Sequence, residues 1–537
     1  MSQKEIYFEP KRVNDFFVDI TTKSRCSYSE DEVRQYVIDQ VDDYNDQNPG
    51  KKIAIVHYNK AATDPGDRVI VLRKEASPGM EGTPTVILQA HMDMVCVPEC
   101  NIFPIKLNKY EDEAGNKMLK GGGFDEETGT TLGADDGIGL ATALAIITDA
   151  ENQYGPIECL FTVQEETDMG GARGFDISWL TGKKYINLDS EDYNIITYGS
   201  AGGSDVVYEI IPVSQAIPAD STTVSVKLNG LTGGHSGVNI NEGSANAIKV
   251  MAQLLSRLRR VKKLDVNIAG FEGGSKTNAI PNNATLTITV PSDQYDNFKN
   301  DCDEILTAFK QVYQDSDPDF EWSIDTVDNP ETVMDTASNH NLTDMLLAIP
   351  TGPLKMMSDP TDIVETSTNL AILNADTEKI SIQCSNRSSA DHSLAALEAI
   401  HQAVAKLFGI KMFLQLDVEE PAELLKDDYS IENSGIFILS GRYPAWMPDE
   451  GSEFLQTAGE VYHSVYGDNY EANVIHAGLE CGWVIKKFGD AGKPIDCIAI
   501  GPTIKTPHTW NERLATDTVK TFYDCVTGIM NKIWGQP

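Results

Sequence analysis

Apolar residues recur at three- and four-residue spacing near the start of the chain: Val13, Phe16, Phe17 and Ile20, then Val33, Tyr36, Val37 and Val41. That period predicts helical structure over residues 10–48, broken near Cys26 and closed by Asn48-Pro49-Gly50. Short apolar runs at 52–57, 68–74 and 84–89 predict strands, and residues 105–123 read as a polar hairpin turning at Glu113-Ala114-Gly115-Asn116. The stretch 139–147 is apolar on every face, as in a helix buried against a sheet. Strands at 157–164 and 185–188 follow, separated by a glycine-rich loop at 170–174. Strands alternating with helices predict an α/β sheet with parallel strands.

The rhythm changes near residue 204. Residues 221–229 alternate polar and apolar like a half-exposed antiparallel strand, and 244–259 carry helical spacing. Strands at 264–270 and 284–290, a helix at 293–313 and a strand at 320–326 complete a β-α-β-β-α-β order. A related order of helix, strand (379–384) and helix (392–408) recurs between 342 and 416. The last part returns to α/β signals: helix 454–466, strand 495–500, helix 516–534. A chain of 537 residues exceeds what one hydrophobic core usually supports. The expected organisation is an α/β domain with a mixed, largely parallel sheet, made of residues 1–204 and 417–537. An α+β, ferredoxin-like domain at 205–416 interrupts it.

Charge removes several function classes. With 81 acidic and 43 basic residues the formal net charge is −38, which repels nucleic-acid phosphates and anionic membranes. No uninterrupted apolar stretch is long enough to span a membrane. The first ten residues show neither the basic nor the apolar region of a secretory signal, so a cytoplasmic location is expected. Nine scattered cysteines, with Cys96 and Cys100 the only close pair, suggest reduced thiols rather than a disulfide or zinc-finger framework.

The chemistry lies at the ends of the predicted strands. His91-Met92-Asp93 closes an apolar run; an imidazole there can bind a metal while a carboxylate orients its other ring nitrogen, although many such histidines are simply rim or core residues. In Gly133-Ala-Asp135-Asp136-Gly137, helix capping accounts for one aspartate but not for two between glycines, and a carboxylate bridging two cations accounts for the placement better. Glu165-Glu166 follows a clean apolar strand, where a solvated turn is the bland alternative to one metal ligand beside one general base. Asp189 ends another strand, and His508 sits in a loop after the strand ending at Ile500. The C-terminal ends of parallel strands are where α/β sites assemble, so these stations reinforce one another. Gly233-Gly234-His235-Ser236-Gly237 is either a glycine-rich turn with an exposed histidine or a loop that presents an imidazole to an oxyanion.

Together the strings LQAHMDMV, TTLGADDGIG, FTVQEET, INLDSED, GLTGGHSG, NAIP, NRSS, HAGLECG and GPTIKTPHT, in that order along the chain, resemble the M20 metallopeptidases, and within them the aminoacyl-histidine (Xaa-His) dipeptidase branch. The resemblance implies a catalytic α/β domain with an inserted lid and dimerisation domain. It also implies two Zn2+ per chain, with Co2+ or Mn2+ as substitutes. One ion would sit on His91, Asp135 and Asp189, the other on Asp135, Glu166 and His508. Glu165 would be the general base, Asp93 the orienter of His91, and His235 an oxyanion stabiliser from the lid. Asn278, Arg387 and the Gly478 backbone would bind the carboxylate of a small peptide. A cis peptide at Asp135–Asp136 and a homodimer formed through the lid belong to the same pattern. Asp136 stands where asparagine is common in this branch, and the 104–131 segment is longer than the pattern. A tripeptide aminopeptidase, an N-acyl amino acid amidohydrolase and a catalytically silent metal-binding protein remain as alternatives.

Overall fold

A computed structural model describes residues 5–98, 102–264, 266–358, 363–415 and 435–535. Its chain divides into two units: residues 1–200, 446–474 and 479–537 in the first, 201–445 and 475–478 in the second. The early apolar spacing forms helices Lys11–Ile20 and Asp31–Gln47, whose buried faces carry Val13, Phe17 and Ile20, and Val33, Val37 and Val41.

The first unit is organised by an eight-stranded sheet. Its order is Ile53–His57, Ile70–Lys74, Ile157–Thr162, Val86–His91, Lys184–Asn187, Asp496–Ala499, Ile195–Ser200 and Glu471–Ile475. The four strands from Ile157–Thr162 to Asp496–Ala499 are mutually parallel, so their C-terminal ends share one edge. The margin gives the sheet its mixed character: Ile53–His57 and Ile70–Lys74 pair antiparallel, as do Ile70–Lys74 and Ile157–Thr162. The link between the first two holds a single helical turn, Pro65–Arg68, where a parallel crossover needs a full helix. Helix Ala134–Ile147, buried along its whole length, packs on the central strands. The hairpin of Leu107–Glu111 and Lys117–Gly122 pairs with Arg513–Ala515, which brings the His508 loop back to the first part of the chain.

Two local expectations are corrected. The glycine-rich loop at 170–174 is a short helix, Gly170–Gly174. A Cβ on Gly66 would stand 2.3 Å from the Gly174 carbonyl carbon, so these glycines serve close backbone packing rather than a loose loop. The cysteines are not all free: Cys26 and Cys96 form a disulfide with Cα atoms 5.6 Å apart, and Cys26 forms a parallel bridge with Met94. A separation of 70 residues leaves no spacing signal for that pair. Cys100 lies outside the described residues.

The second unit contains a ten-stranded sheet. Four of its strands, Glu321–Val327, Ser221–Asn229, Ala284–Pro291 and Asn267–Gly273, lie side by side in the 4-1-3-2 order of a ferredoxin-like fold. Helices Ala247–Arg257 and Tyr295–Val312 pack on them. The sheet continues through Val364–Asp376, Ile380–Ser388, Gly202–Ile210, Ile436–Tyr443 and Met412–Gln415. Because Ile436–Tyr443 pairs antiparallel with Gly202–Ile210, the chain returns to the first unit after residue 445, later than the expected boundary. The expected 416/417 boundary itself lies outside the described residues. The chain re-enters the second unit for Ile475–Gly478.

Candidate active site

The shared C-terminal edge of the parallel strands gathers the acidic stations. His91, the last residue of its strand, is fully buried. Its Nε2 lies 3.0 Å from Asp135 Oδ1 and 3.5 Å from Asp189 Oδ1, with Glu165 Oε2 at 4.0 Å. Nδ1 faces the Asp93 backbone carbonyl at 3.2 Å and the Asp93 carboxylate at 3.6 Å. His508 Nε2 stands 2.9 Å from Asp135 Oδ2 and 2.9 Å from Glu166 Oε2. Asp135 therefore turns one oxygen to each imidazole. Two triads result, His91–Asp135–Asp189 and Asp135–Glu166–His508, each with ligand atoms within 4.8 Å of one another.

The backbone around Asp135 is held from several sides. Gly133 has φ 69°, and a Cβ there would meet the Arg25 guanidinium at 2.3 Å. Buried Arg25 donates to the carbonyls of Asp93 (2.8 Å), Met92 and Gly133, tying the two ligand-bearing segments together. The Glu512 carboxylate accepts the amides of Leu132, Gly133, Ala134 and Asp135 at 2.7–3.2 Å. A carboxylate on free amides at a helix start satisfies donors that have no intrahelical partner. The Asp135–Asp136 peptide is cis. Asp136 is buried away from the triads, where it accepts the His91 amide at 3.2 Å and the Gly139 amide at 3.0 Å. Asp93 does more than face His91: its carboxylate accepts the amides of Glu165 (3.0 Å) and Glu166 (3.3 Å) and the Ser27 hydroxyl (2.8 Å). It thereby fixes the turn that carries both glutamates.

The electrostatics of this pocket are unbalanced. Burial, reinforced by Asp135, pushes Asp189 up to about 7 against the pull of His91. Burial likewise raises Glu165 and Glu166, and lifts Glu191 and Glu480 to about 8. His508 opposes its own burial through Asp135 and Glu166 and rises to about 12; His91, also against its burial, is held well above its ordinary value by Asp189 and Asp135. Two imidazoles thus face a larger set of buried carboxylates, an arrangement that needs added positive charge. Two divalent cations fit on this ground, and a donor set of imidazole nitrogens and carboxylate oxygens suits zinc and its first-row neighbours.

The remaining candidates belong to the second unit. His235 sits on the glycine loop, its amide donating to Asn239 Oδ1 at 2.9 Å, and forms a bridge with Ala279. The Ser236 amide donates to the Asn278 carbonyl at 2.8 Å. Arg387 lies on strand Ile380–Ser388 and Gly478 ends the segment 475–478. Sequence reasoning assigned no role to Glu512, Glu480, Arg25, Ser27 or His476. Glu480 stands inside the string HAGLECG and Glu512 three residues beyond GPTIKTPHT, but a single acidic residue in such a setting carries no pattern of its own.

Comparison with known proteins identifies the family. Residues 226–317 match the M20 peptidase dimerisation domain. The cytosol non-specific dipeptidase of Escherichia coli (strain K12) is 30% identical over 529 residues, 98% of each chain. The chain belongs to the M20 metallopeptidase family. The crystal structure of aminoacylhistidine dipeptidase from Vibrio alginolyticus superposes with a TM-score of 0.79 at 30% identity, covering 99% of this chain and 98% of the other. Aminopeptidase PepT from Bacillus cereus ATCC 10987, at 16% identity and a TM-score of 0.51 over 98% and 100% of the two chains, shares the fold alone. Within the M20 family the chain aligns over nearly its whole length with the dipeptidase and the aminoacylhistidine dipeptidase. No helix among the described residues is long and apolar enough to cross a membrane.

Proposed function

We propose that this M20 chain is a two-metal dipeptidase whose substrates include Xaa-His dipeptides. The observation that carries the reading is Asp135, with one carboxylate oxygen at each of two imidazoles 3.0 and 2.9 Å away. His91, Asp135 and Asp189 would hold one Zn2+, and Asp135, Glu166 and His508 the second, with Co2+ or Mn2+ able to substitute. Bound there, two such cations supply Lewis acidity, which acidifies water and polarises a peptide carbonyl. The chain's own groups do the rest. Glu165 accepts the proton of the attacking water at its carboxylate and returns it to the departing amine nitrogen. Asp93 keeps Glu165 and Glu166 in register through their amides, and Glu512 keeps Asp135 in place. His235 donates to the developing oxyanion. Arg387, Asn278 and the Gly478 amide receive the terminal carboxylate and so restrict substrates to very short peptides.

The names of the Escherichia coli and Vibrio alginolyticus relatives support the dipeptidase class, and the former a cytoplasmic location. The match to a dimerisation domain supports a homodimer formed through the second unit. The decisive variant is Glu165→Ala. It is expected to keep two metals per chain by elemental analysis while hydrolysis of an Xaa-His panel falls by about 10²–10⁴-fold. Retained hydrolysis would remove Glu165 from its role. A wild-type protein that cleaves no dipeptide would end the reading.

A further inference from the structure

Behind His91 a second layer of polar side chains crosses three strand ends of the first unit. Gln89 lies two residues before His91 on the same strand, so both side chains project to one face of the sheet. On the strands to either side, Thr162 is the register partner of His91 and Asn187 that of Gln89. Gln89, Thr162 and Asn187 are fully buried, and so is Glu480, which immediately precedes helix Cys481–Asp490. Gln89 Nε2 and the Thr162 hydroxyl donate to the same oxygen, Glu480 Oε2, at 2.5 and 2.7 Å. Gln89 Oε1 in turn accepts from Asn187 Nδ2 at 2.6 Å. Asn187 Oδ1 accepts the Asp189 amide at 3.3 Å. An unbroken chain of hydrogen bonds thus leads from Glu480 to the backbone of Asp189.

Stability alone does not account for this network. Apolar side chains of the same shape would fill the space at little or no cost, whereas Glu480 Oε1 has no hydrogen-bond partner among the described residues. What the polar chain adds is direction, because each link fixes the angle of the next. Burial raises Glu480 to about 8 against the pull of His91 and Thr162, so at neutral pH it adds no charge to a pocket already crowded with acids. The two metal seats differ in their dependence on the chain. His91 and Asp189 each follow one of its members, Gln89 and Asn187, by two residues. Glu166 and His508 are held by other means. The Glu166 amide donates to Asp93, and the His508 loop is closed by the Thr506 hydroxyl on the Asn511 carbonyl at 2.6 Å.

We propose that Glu480, acting through Gln89 and Asn187, is a positioning residue for the His91–Asp135–Asp189 seat and not for the Asp135–Glu166–His508 seat. The proposal rests on the two-metal reading of the site. Its test is competitive chelator titration with Zn2+ in two single-seat backgrounds: His508→Ala, which keeps the first seat, and His91→Ala, which keeps the second. Adding Glu480→Ala is expected to lower Zn2+ affinity by about 10–100-fold in the first background and by no more than about twofold in the second. Glu480→Gln, which keeps an acceptor for Gln89 and Thr162, is expected to retain most of the affinity of the first seat. Gln89→Met cuts the chain in its middle without touching Glu480 and is expected to reproduce the selective loss, so the test survives a Glu480→Ala that does not fold. Circular dichroism of the metal-free proteins separates misfolding from a binding defect. Equal weakening in both backgrounds, or an unchanged first seat in a folded Glu480→Ala or Gln89→Met, overturns the proposal. Backgrounds that fail to hold one ion each strike instead at the two-metal reading.

Discussion

The two units carry polar sites of opposite construction. In the first, Asp135, Asp189, Glu165, Glu166 and Glu480 converge on two imidazoles, and burial drives most of these acids above their ordinary range. In the second, the polar network around His401 is buried and neutral. The Tyr208 hydroxyl donates to His401 Nδ1 at 2.7 Å, and His401 Nε2 donates to Asn386 Oδ1 at 3.0 Å. Burial depresses the His401 pKa to about 4. The first is a set of donors suited to cations, and the second is satisfied by its own hydrogen bonds. Metal chemistry is therefore expected to govern the stability of the first unit and proton chemistry that of the second.

Chelation breaks the comparison hardest. Removing metal is expected to abolish hydrolysis. It is also expected to raise amide exchange at the start of helix Ala134–Ile147 and at the strand ends carrying His91 and Asp189, while Gly202–Ile210 and Ile380–Ser388 stay protected. Each ion at a hundredfold excess over its Kd stabilises by about 2.7 kcal/mol, which sets the scale of the loss. Equal loosening of both units in exchange experiments would contradict the contrast.

Glu512→Ala comes next. It strips four amides of their shared acceptor, all beside a metal-bearing aspartate. Metal affinity measured by competitive chelator titration is expected to fall about 10–100-fold, as when a group supporting a ligand is lost. The cost in folding stability, read by denaturant melts of metal-free protein, is expected near 3 kcal/mol.

The acid limb of the second unit comes last. His401 binds its proton at about 4 when folded and at about 6.5 when unfolded. Between those values the unfolded chain holds the extra proton, so stability falls as pH drops from about 6.5 to 4 and levels off below. The loss is about 3 kcal/mol at about 1.36 kcal/mol per pKa unit. His476, depressed to about 3, acts in the same direction. Hydrogen-exchange protection of Gly202–Ile210, corrected for the intrinsic exchange rate at each pH, is expected to fall over that range in the wild type and to vary less in His401→Gln.

Much of the first unit was legible because the cues are local and repeated. Apolar runs ending in His91, Glu165 and Asp189 are strands, and parallel strands must present their C-terminal ends together. Which member of a pair does what was less legible: Asp135 and Asp136 look alike in sequence, yet one faces both imidazoles and the other caps the His91 and Gly139 amides. Supports from distant segments left no trace. Glu512 and Arg25 are single charged residues whose partners lie more than a hundred positions away or in backbone atoms. Ile436–Tyr443 reads as an isolated apolar run, and only its pairing with Gly202–Ile210 assigns it to the second unit. The Cys26–Cys96 disulfide spans 70 residues and follows from tertiary contact alone.

Metal stoichiometry across three variants tests the central claim most directly. Elemental analysis of the purified wild type is expected to give two divalent ions per chain, with His91→Ala and His508→Ala keeping one each and Asp135→Ala keeping neither. One ion or none in the wild type, or two in Asp135→Ala, would contradict a centre bridged by that carboxylate.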